Sequence, residues 1–168
     1  MRRSKSRSSS SRKKSSAELA QPVDETARSH WARTIDKIVR GERIARFVRL
    51  SPTSVLLRNH GLVPGDLVMS AGKIALARKT HPEVPLQVWY ELPALLASPK
   101  AIFPSDRRDG SVIVATVAFD ADGYPVIAPI LWDQAQKQNV ILSLYGRSGT
   151  RRLSPAQWLD AQIQSARA

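Results

Sequence analysis

The hydrophobic positions in the second half of the chain are spaced as in β-strands. Residues 112–119 are apolar on both faces, which is typical of a central strand. The pair Asp122-Gly123 predicts a hairpin turn after this strand, and residues 124–132 form the returning partner. A third strand is predicted over residues 138–145.

Two prolines and a series of polar residues modify this picture. Pro125 and Pro129 predict a less regular or edge strand, because proline cannot donate to a ladder. In the third strand Ser143 and Tyr145 are two residues apart, and side chains at that spacing share a face. If the strand continues, Arg147 joins them. This pattern predicts a face with a hydroxyl, a phenol and a guanidinium, or simply a polar edge.

The first half of the chain has the spacing of amphipathic helices. Trp31 and Ile35 fall on one face, and apolar residues continue past Gly41 to Phe47 with arginines between them. We interpret residues 23–50 as an amphipathic helical segment. Its basic side is either a surface that binds phosphates or an ordinary solvated face.

Capping residues and prolines divide the rest of the chain. Ser51-Pro52 predicts the start of a short helix. Ser70 and Pro82 enclose another helix, which ends just before the proline. The apolar stripe over residues 84–98 predicts a helix that breaks at Pro93. The remaining predicted elements are short strands at residues 67–69 and 101–103 and a last helix from Ser154.

Together these elements predict an α+β fold, with N-terminal helices packed on a small antiparallel β-sheet. Residues 1–22 are almost entirely Ser, Arg and Lys in their first part and cannot bury enough apolar surface to fold. We therefore expect a disordered basic tail at 1–22, the helical segment at 23–50 and the α+β domain at 51–168. The tail is either a linker or an electrostatic arm for nucleic acid.

The charge of the chain favours a polyanionic partner. The formal net charge is +12, of which residues 1–16 carry +7. Such a surface attracts nucleic acid first and an anionic membrane surface second. No apolar run approaches the 18 residues of a transmembrane helix, and the basic N-terminus is not followed by the apolar segment of a secretory signal.

Several classes of chemistry are excluded or disfavoured by composition. The absence of cysteine excludes disulfides, thiolate zinc sites and cysteine nucleophiles. The three histidines are not spaced as metal ligands, so no metal site is expected. The chain contains no glycine-rich phosphate loop, no GxSxG and no HExxH motif. Side-chain acid–base chemistry without a metal remains.

His81 is the first candidate for that chemistry. It follows Arg78 and Lys79 at the predicted end of a helix and directly precedes Pro82, so we expect it to be partly exposed with cations nearby. An imidazole in such a place can exchange a proton with a ribose hydroxyl. It can equally be a surface histidine in a turn, and both interpretations stay open.

Three segments of the chain, taken in order, resemble a known family. HPEVPLQVWYELPALLASPKAIFPS, VIVATVAFDADGYPVIAPI and NVILSLYG are similar to the C-terminal domains of phage MuF-type head proteins. The shared pattern is His81-Pro82 after a basic helix, Leu92-Pro93 in a helix pair, a strand hairpin, and finally Asn139, Ser143 and Tyr145. The resemblance covers about residues 55 to 150.

Those domains are assigned to the barnase–EndoU–colicin–RelE group of toxin-like nucleases. The resemblance therefore implies a barnase/RelE-like fold and cleavage of RNA without a metal or other cofactor, by attack of a 2′-hydroxyl on the adjacent phosphate. It implies His81, Ser143 and Tyr145 as the catalytic residues. The residues implied to bind nucleic acid are Lys73, Arg78, Lys79, Arg147 and Arg151.

An active ribonuclease of this kind would have RNA and a cognate inhibitor protein as partners, with no role for a membrane. It would act in the cytoplasm, either its own or that of a target cell. Two alternatives stay open. One is a non-catalytic nucleic-acid-binding protein of a phage or mobile element, and the other is a phage packaging accessory that makes only protein contacts.

Overall fold

The computed structural model describes residues 25–105, 109–147 and residue 163. Within these residues, helices and strands alternate along the first part of the chain and strands follow in the second, so the α+β class is confirmed. The helices are α1 (Glu25–Val39), α2 (Val55–Asn59), α3 (Ala71–Thr80) and α4 (Leu86–Ala97). The strands are β1 (Phe47–Pro52), β2 (Asp66–Ser70), β3 (Ala101–Pro104), β4 (Ser111–Phe119), β5 (Pro125–Asp133), β6 (Gln138–Ile141) and β7 (Tyr145–Gly146).

The strands form one open mixed sheet. Its order is β1-β2-β6-β5-β4-β3, and β7 pairs with β5 beside the end of β6. All pairs among the described strands are antiparallel except β2 and β6, which run parallel. The expectation of a wholly antiparallel sheet is therefore wrong, because the sheet joins an N-terminal pair of strands to the C-terminal hairpins through β6.

The helices do not precede the sheet as expected. Among the described residues only α1 lies before the first strand, and residues 47–52 form β1 instead of continuing a helix. In β1 the buried Val48 and Leu50 flank the exposed Arg49, the alternation of a strand with one face on the core. The next helix starts at Val55 and not at Ser51-Pro52. Its cap is Ser54, whose Oγ accepts a hydrogen bond from the backbone of Leu57 at 3.3 Å.

The boundaries of α3 are confirmed. The Oγ of Ser70 accepts a hydrogen bond from the backbone N–H of Lys73 at 3.3 Å, which caps the first turn. The helix ends at Thr80, two residues before Pro82. Because β2 leads directly into α3, the direction of the helix is fixed by the sheet.

Helix α4 is continuous through Pro93, where the sequence predicted a break. A proline at this position has no N–H for the carbonyl of Trp89, four residues earlier. The indole N–H of Trp31 in α1 donates to that carbonyl at 2.6 Å instead. Both tryptophan side chains are fully buried. A second link joins the same helices, since the hydroxyl of Tyr90 donates to Asp36 at 2.5 Å.

Strand β5 is central in the sheet and irregularly paired, so of the two predictions made from its prolines the edge strand is wrong and the less regular strand is found. Pro125 is its first residue. The carbonyl of Pro129 accepts a hydrogen bond at 2.9 Å from the backbone N–H of Leu142, which lies in the connection between β6 and β7. Residues 142–144 there lie opposite two residues of β5, so one extra residue is accommodated as a bulge. Both prolines thus lie at positions where the sheet does not require a backbone N–H to donate a hydrogen bond.

The two faces of the sheet carry different cores. The larger core contains Trp31, Trp89 and Leu144 and lies on the face that α1 and α4 cover. The smaller one consists of Phe103, Ala115 and Ile127 on the opposite face. Tyr145 and Ile163 pack against it. The predicted last helix from Ser154 lies outside the described residues, apart from Ile163.

Candidate functional site

The ring of His81 stacks on the ring of Tyr145, with centroids 5.3 Å apart and planes inclined by 30°. The end of α3 and the strand β7 therefore meet at one place, as the catalytic hypothesis requires. His81 keeps 33% of its side chain exposed. An imidazole that is held on one face and open to solvent can meet a substrate.

A carboxylate lies at the Nδ1 edge of this imidazole. The Nδ1 atom of His81 lies 3.1 Å from Oε1 of Glu83, which is itself half-buried. If Nδ1 carries the proton and donates it to Glu83, then Nε2 keeps its lone pair and can accept a proton from another molecule. The His81–Glu83 pair, like the His–carboxylate pairs of hydrolases, sets which nitrogen faces a reactant.

The tip of the β4–β5 hairpin closes the site from the side. The backbone N–H of Ala121 donates to the carbonyl of Glu83 at 2.8 Å. Asp120 is buried, and its Oδ1 accepts hydrogen bonds from the backbones of Asp122 at 2.9 Å and Tyr124 at 2.8 Å. The carboxylate also packs against Gly146, next to Tyr145. The hairpin thus connects the loop after α3 to β7.

Tyr145 reaches the site because of the bulge at residues 142–144. It pairs with Ile127, whose side chain belongs to the smaller core, so Tyr145 lies on that face. Ser143 was expected to share its face along a regular strand. It lies inside the bulge, outside β6 and β7, and is half-buried. The regular strand predicted over residues 138–145 is therefore wrong, because the bulge interrupts it.

The expected phosphate ligands are spread around α3 and β7. Lys73 is exposed in the first turn of α3, about 12 Å along the helix from His81. Lys79 and Arg147 are exposed, and in the sequence each is two residues from one of the two stacked rings. Arg78 is half-buried, and its positive charge acts on Tyr90 of α4. Arg151 lies outside the described residues.

Asn139, part of the motif pattern, has a scaffold role. It is fully buried and donates through Nδ2 to the Oγ1 of Thr53 at 2.7 Å and to the carbonyl of Val63 at 2.8 Å. The hydroxyl of Thr53 donates in turn to the carbonyl of Gly65 at 2.8 Å. These bonds hold the β1–β2 connection onto β6 and leave no room for a substrate at Asn139.

Among the described residues, no group of three or more His, Cys, Asp or Glu side chains is arranged to hold a metal ion. None of the helices described is both long enough and apolar enough to cross a membrane.

A family model of the phage MuF C-terminal domain matches residues 73–167. The chain belongs to this family. No curated protein and no solved structure matches it. The matched range of the MuF C-terminal domain begins in the first turn of α3 and includes His81, Glu83, Asp120 and Tyr145. The stack and its supports thus lie wholly in the family region, whereas α1, β1 and β2 precede it.

Two residues of this candidate site were missed in the sequence. Glu83 could have been predicted from the sequence, because a carboxylate two residues after a candidate histidine is within reach of its ring. Asp120 could not, because its place depends on the hairpin folding back to β7.

Proposed function

We propose that this MuF C-terminal domain is a metal-independent ribonuclease of toxin type, with the stacked pair His81 and Tyr145 as its catalytic centre. This extends its family membership to the barnase–EndoU–colicin–RelE-like group of nucleases. The observation that carries the proposal is the contact between a half-exposed imidazole and a phenol, with a carboxylate on Nδ1.

The reaction requires one proton to be removed from the attacking 2′-hydroxyl and one to be delivered to the leaving 5′-oxygen. Nε2 of His81 removes the proton of a ribose 2′-hydroxyl, and the 2′-oxygen forms a bond to the adjacent phosphorus. The bond from phosphorus to the 5′-oxygen breaks, and that oxygen takes a proton from the phenol of Tyr145. The products are a 2′,3′-cyclic phosphate and a 5′-hydroxyl, and water restores the two side chains to their starting states.

Cations stabilise the additional negative charge on the phosphorane. Arg147 follows Tyr145 by two residues, and Lys79 precedes His81 by two, and both are exposed. Ser143, in the bulge beside them, is assigned to orient the phosphate. Lys73 is placed further along α3 and would contact a more distant phosphate. A cognate inhibitor protein is part of the proposal, because an unchecked ribonuclease damages the cell that makes it.

The test is cleavage of a single-stranded RNA by the purified full-length chain in EDTA. His81→Ala should lower the rate by about 10²–10⁴-fold. Tyr145→Phe keeps the stacked ring and removes only the hydroxyl. His60→Ala is the matched control, because His60 is exposed and its Nδ1 lies 2.9 Å from the carbonyl oxygen of Leu56 in α2, the helix that His60 caps.

The substrate provides a second control. RNA with a 2′-O-methyl group at the cleaved nucleotide should stay intact there, and the products of unmodified RNA should carry cyclic phosphate ends. Intact RNA, with wild type and His81→Ala indistinguishable, would overturn the proposal.

A second candidate is a nucleic-acid-binding protein without catalysis. It is favoured by cations outside the site, because α1 and the segment after it expose Arg33, Lys37, Arg43 and Arg46. The same assay discriminates the two functions, since this candidate binds RNA and leaves it intact. Replacing Arg33 and Lys37 by alanine should then flatten the salt dependence of binding, by roughly 0.7 per lost contact to a single strand.

A further inference from the structure

Phe119 is an aromatic side chain that folding leaves in solvent. It ends β4 with 52% of its surface exposed, and Val117 on the same strand is 55% exposed. Ile163 and Tyr145 pack against the smaller core, but Phe119 lies outside that buried cluster. A single exposed phenylalanine is ordinary, so the case for a role depends on what surrounds it.

The register of the sheet places Phe119 beside the candidate site. Phe119 pairs with Pro125, and the backbone N–H of Arg147 donates to the carbonyl of that same Pro125 at 3.0 Å. These three residues therefore form one row across β4, β5 and the end of β7. Because paired residues share a face, Phe119 and Arg147 lie on the same face.

The neighbouring row on this face contains Tyr145, one member of the proposed catalytic pair. Ile127 is two residues after Pro125, so it lies on the same face, and it pairs with Tyr145. His81 stacks on Tyr145. The α-carbons of Phe119 and Arg147 are two strand spacings apart, about 10 Å. An exposed aromatic ring, an exposed guanidinium and the stacked pair thus meet at one end of the sheet.

We infer that Phe119 is a stacking platform for an unpaired nucleobase of single-stranded RNA, next to the phosphate on which His81 and Tyr145 act. Arg147 binds the phosphate between the platform and the stacked pair. Aromatic side chains bind exposed bases through their faces, and cations beside them track the backbone. The inference rests on the proposed ribonuclease function and assigns it a substrate class, RNA with splayed-out bases.

The experiment measures binding without cleavage. Full-length His81→Ala protein is titrated with a labelled eight-nucleotide single-stranded RNA. Adding Phe119→Ala should weaken binding about tenfold, within the range found for loss of one base–aromatic stack. Phe119→Trp should restore it. The matched control is Val117→Ala, which removes a side chain of similar exposure from the same strand and should change affinity less than about twofold.

Two ligand variants test whether the contact is a stack. An RNA of the same length without bases should bind equally to the Phe119→Ala protein and its parent. A duplex RNA should show no loss either, because its bases are already stacked on each other. Equal losses in Phe119→Ala and Val117→Ala, or an undiminished affinity in Phe119→Ala, would overturn the inference.

The outcomes separate this inference from the proposed function. If the wild-type chain leaves RNA intact and Phe119→Ala still loses base-dependent binding, the ribonuclease proposal fails and the platform stands. If the wild type cleaves RNA and Phe119→Ala binds as before, the platform fails and the ribonuclease stands.

Discussion

Gly146 packs against the carboxylate of Asp120 so closely that a β-carbon at position 146 would overlap Oδ2. Asp120 cannot move aside at little cost, because its Oδ1 already accepts from two backbone N–H groups of the hairpin turn. This contact fixes the hairpin against β7, the strand that presents Tyr145 to His81.

Gly146→Ala should therefore destabilise the protein by about 1–3 kcal/mol, the usual cost of overpacking. Urea unfolding measures the change. Gly72→Ala is the control, since Gly72 lies in α3 and an added β-carbon there would meet, among the described residues, the Oγ of Ser70 at an ordinary 3.8 Å. It should leave stability unchanged or raise it slightly. Equal free energies of unfolding for Gly146→Ala and wild type would show that the turn at Asp120 can shift to accommodate the added methyl group without a measurable cost.

The pairing of Glu83 with His81 predicts one tautomer of the neutral imidazole. With Oε1 of Glu83 as acceptor 3.1 Å from Nδ1, the proton should reside on Nδ1. Long-range ¹H–¹⁵N spectra of the His81 ring report this directly. Glu83→Ala should move the proton to Nε2 in a fraction of molecules. Asp122→Ala removes the same charge from the neighbouring hairpin turn and should not. A proton on Nε2 in the wild type would contradict the assignment.

Tyr90 predicts a change of stability at high pH. Its pKa is raised chiefly by the hydrogen bond to Asp36 and also by burial and the charge of Asp36, against the opposing charges of Arg78 and Arg40. A raised pKa in the folded state means that the neutral phenol stabilises the fold fully below about pH 10, the unfolded value. That stabilisation is lost as the pH rises through the folded pKa.

The measurement is the difference in unfolding free energy between wild type and Tyr90→Phe at pH 8 and at several pH values above 10. The difference should be constant up to about pH 10 and shrink beyond it. Asp36→Ala removes the acceptor, so in that background the pH dependence of the difference should weaken. Parallel curves for wild type and Tyr90→Phe would show that the hydrogen bond does not perturb the phenol.

Local chemistry made several elements predictable. Ser70 and Pro82 defined α3 because capping and the proline restriction act within a few residues. Asp122-Gly123 located the β4–β5 turn for the same reason. The rule that proline breaks a helix failed at Pro93, because Trp31 in α1 supplied the missing donor. At Pro129 the predicted irregularity is present as a bulge, and the bulge lets the proline lie in a central strand.

The candidate site was predictable only in part. His81 and Tyr145 could be named from the family pattern. Their contact, however, depends on the one-residue shift between β6 and β7, and no local sequence pattern predicted that shift. The same shift interrupts the strand that was predicted over residues 138–145, in which Ser143 lies. The role proposed for Phe119 depends on which residues are paired across three strands, and pairing register is a tertiary property.

The carbonyl of Trp89 connects Trp31 to Pro93 and predicts that their mutations are not additive. Pro93 cannot donate to this buried carbonyl, and the indole of Trp31 does so at 2.6 Å. Trp31→Phe removes the donor and should cost at least about 1–3 kcal/mol, because a buried acceptor is left without a partner. Pro93→Ala supplies an N–H in the ordinary helical position four residues later.

In the Pro93→Ala background, Trp31→Phe should therefore cost less than in the wild type, by about 1 kcal/mol. Urea unfolding of the four proteins gives the coupling energy. Pro85→Ala is the control partner, since Pro85 lies at the N-terminal cap of α4 and faces no carbonyl in need of a donor from Trp31. It should be additive with Trp31→Phe. An equal cost of Trp31→Phe with and without Pro93 would mean that the indole stabilises the α1–α4 contact by packing alone.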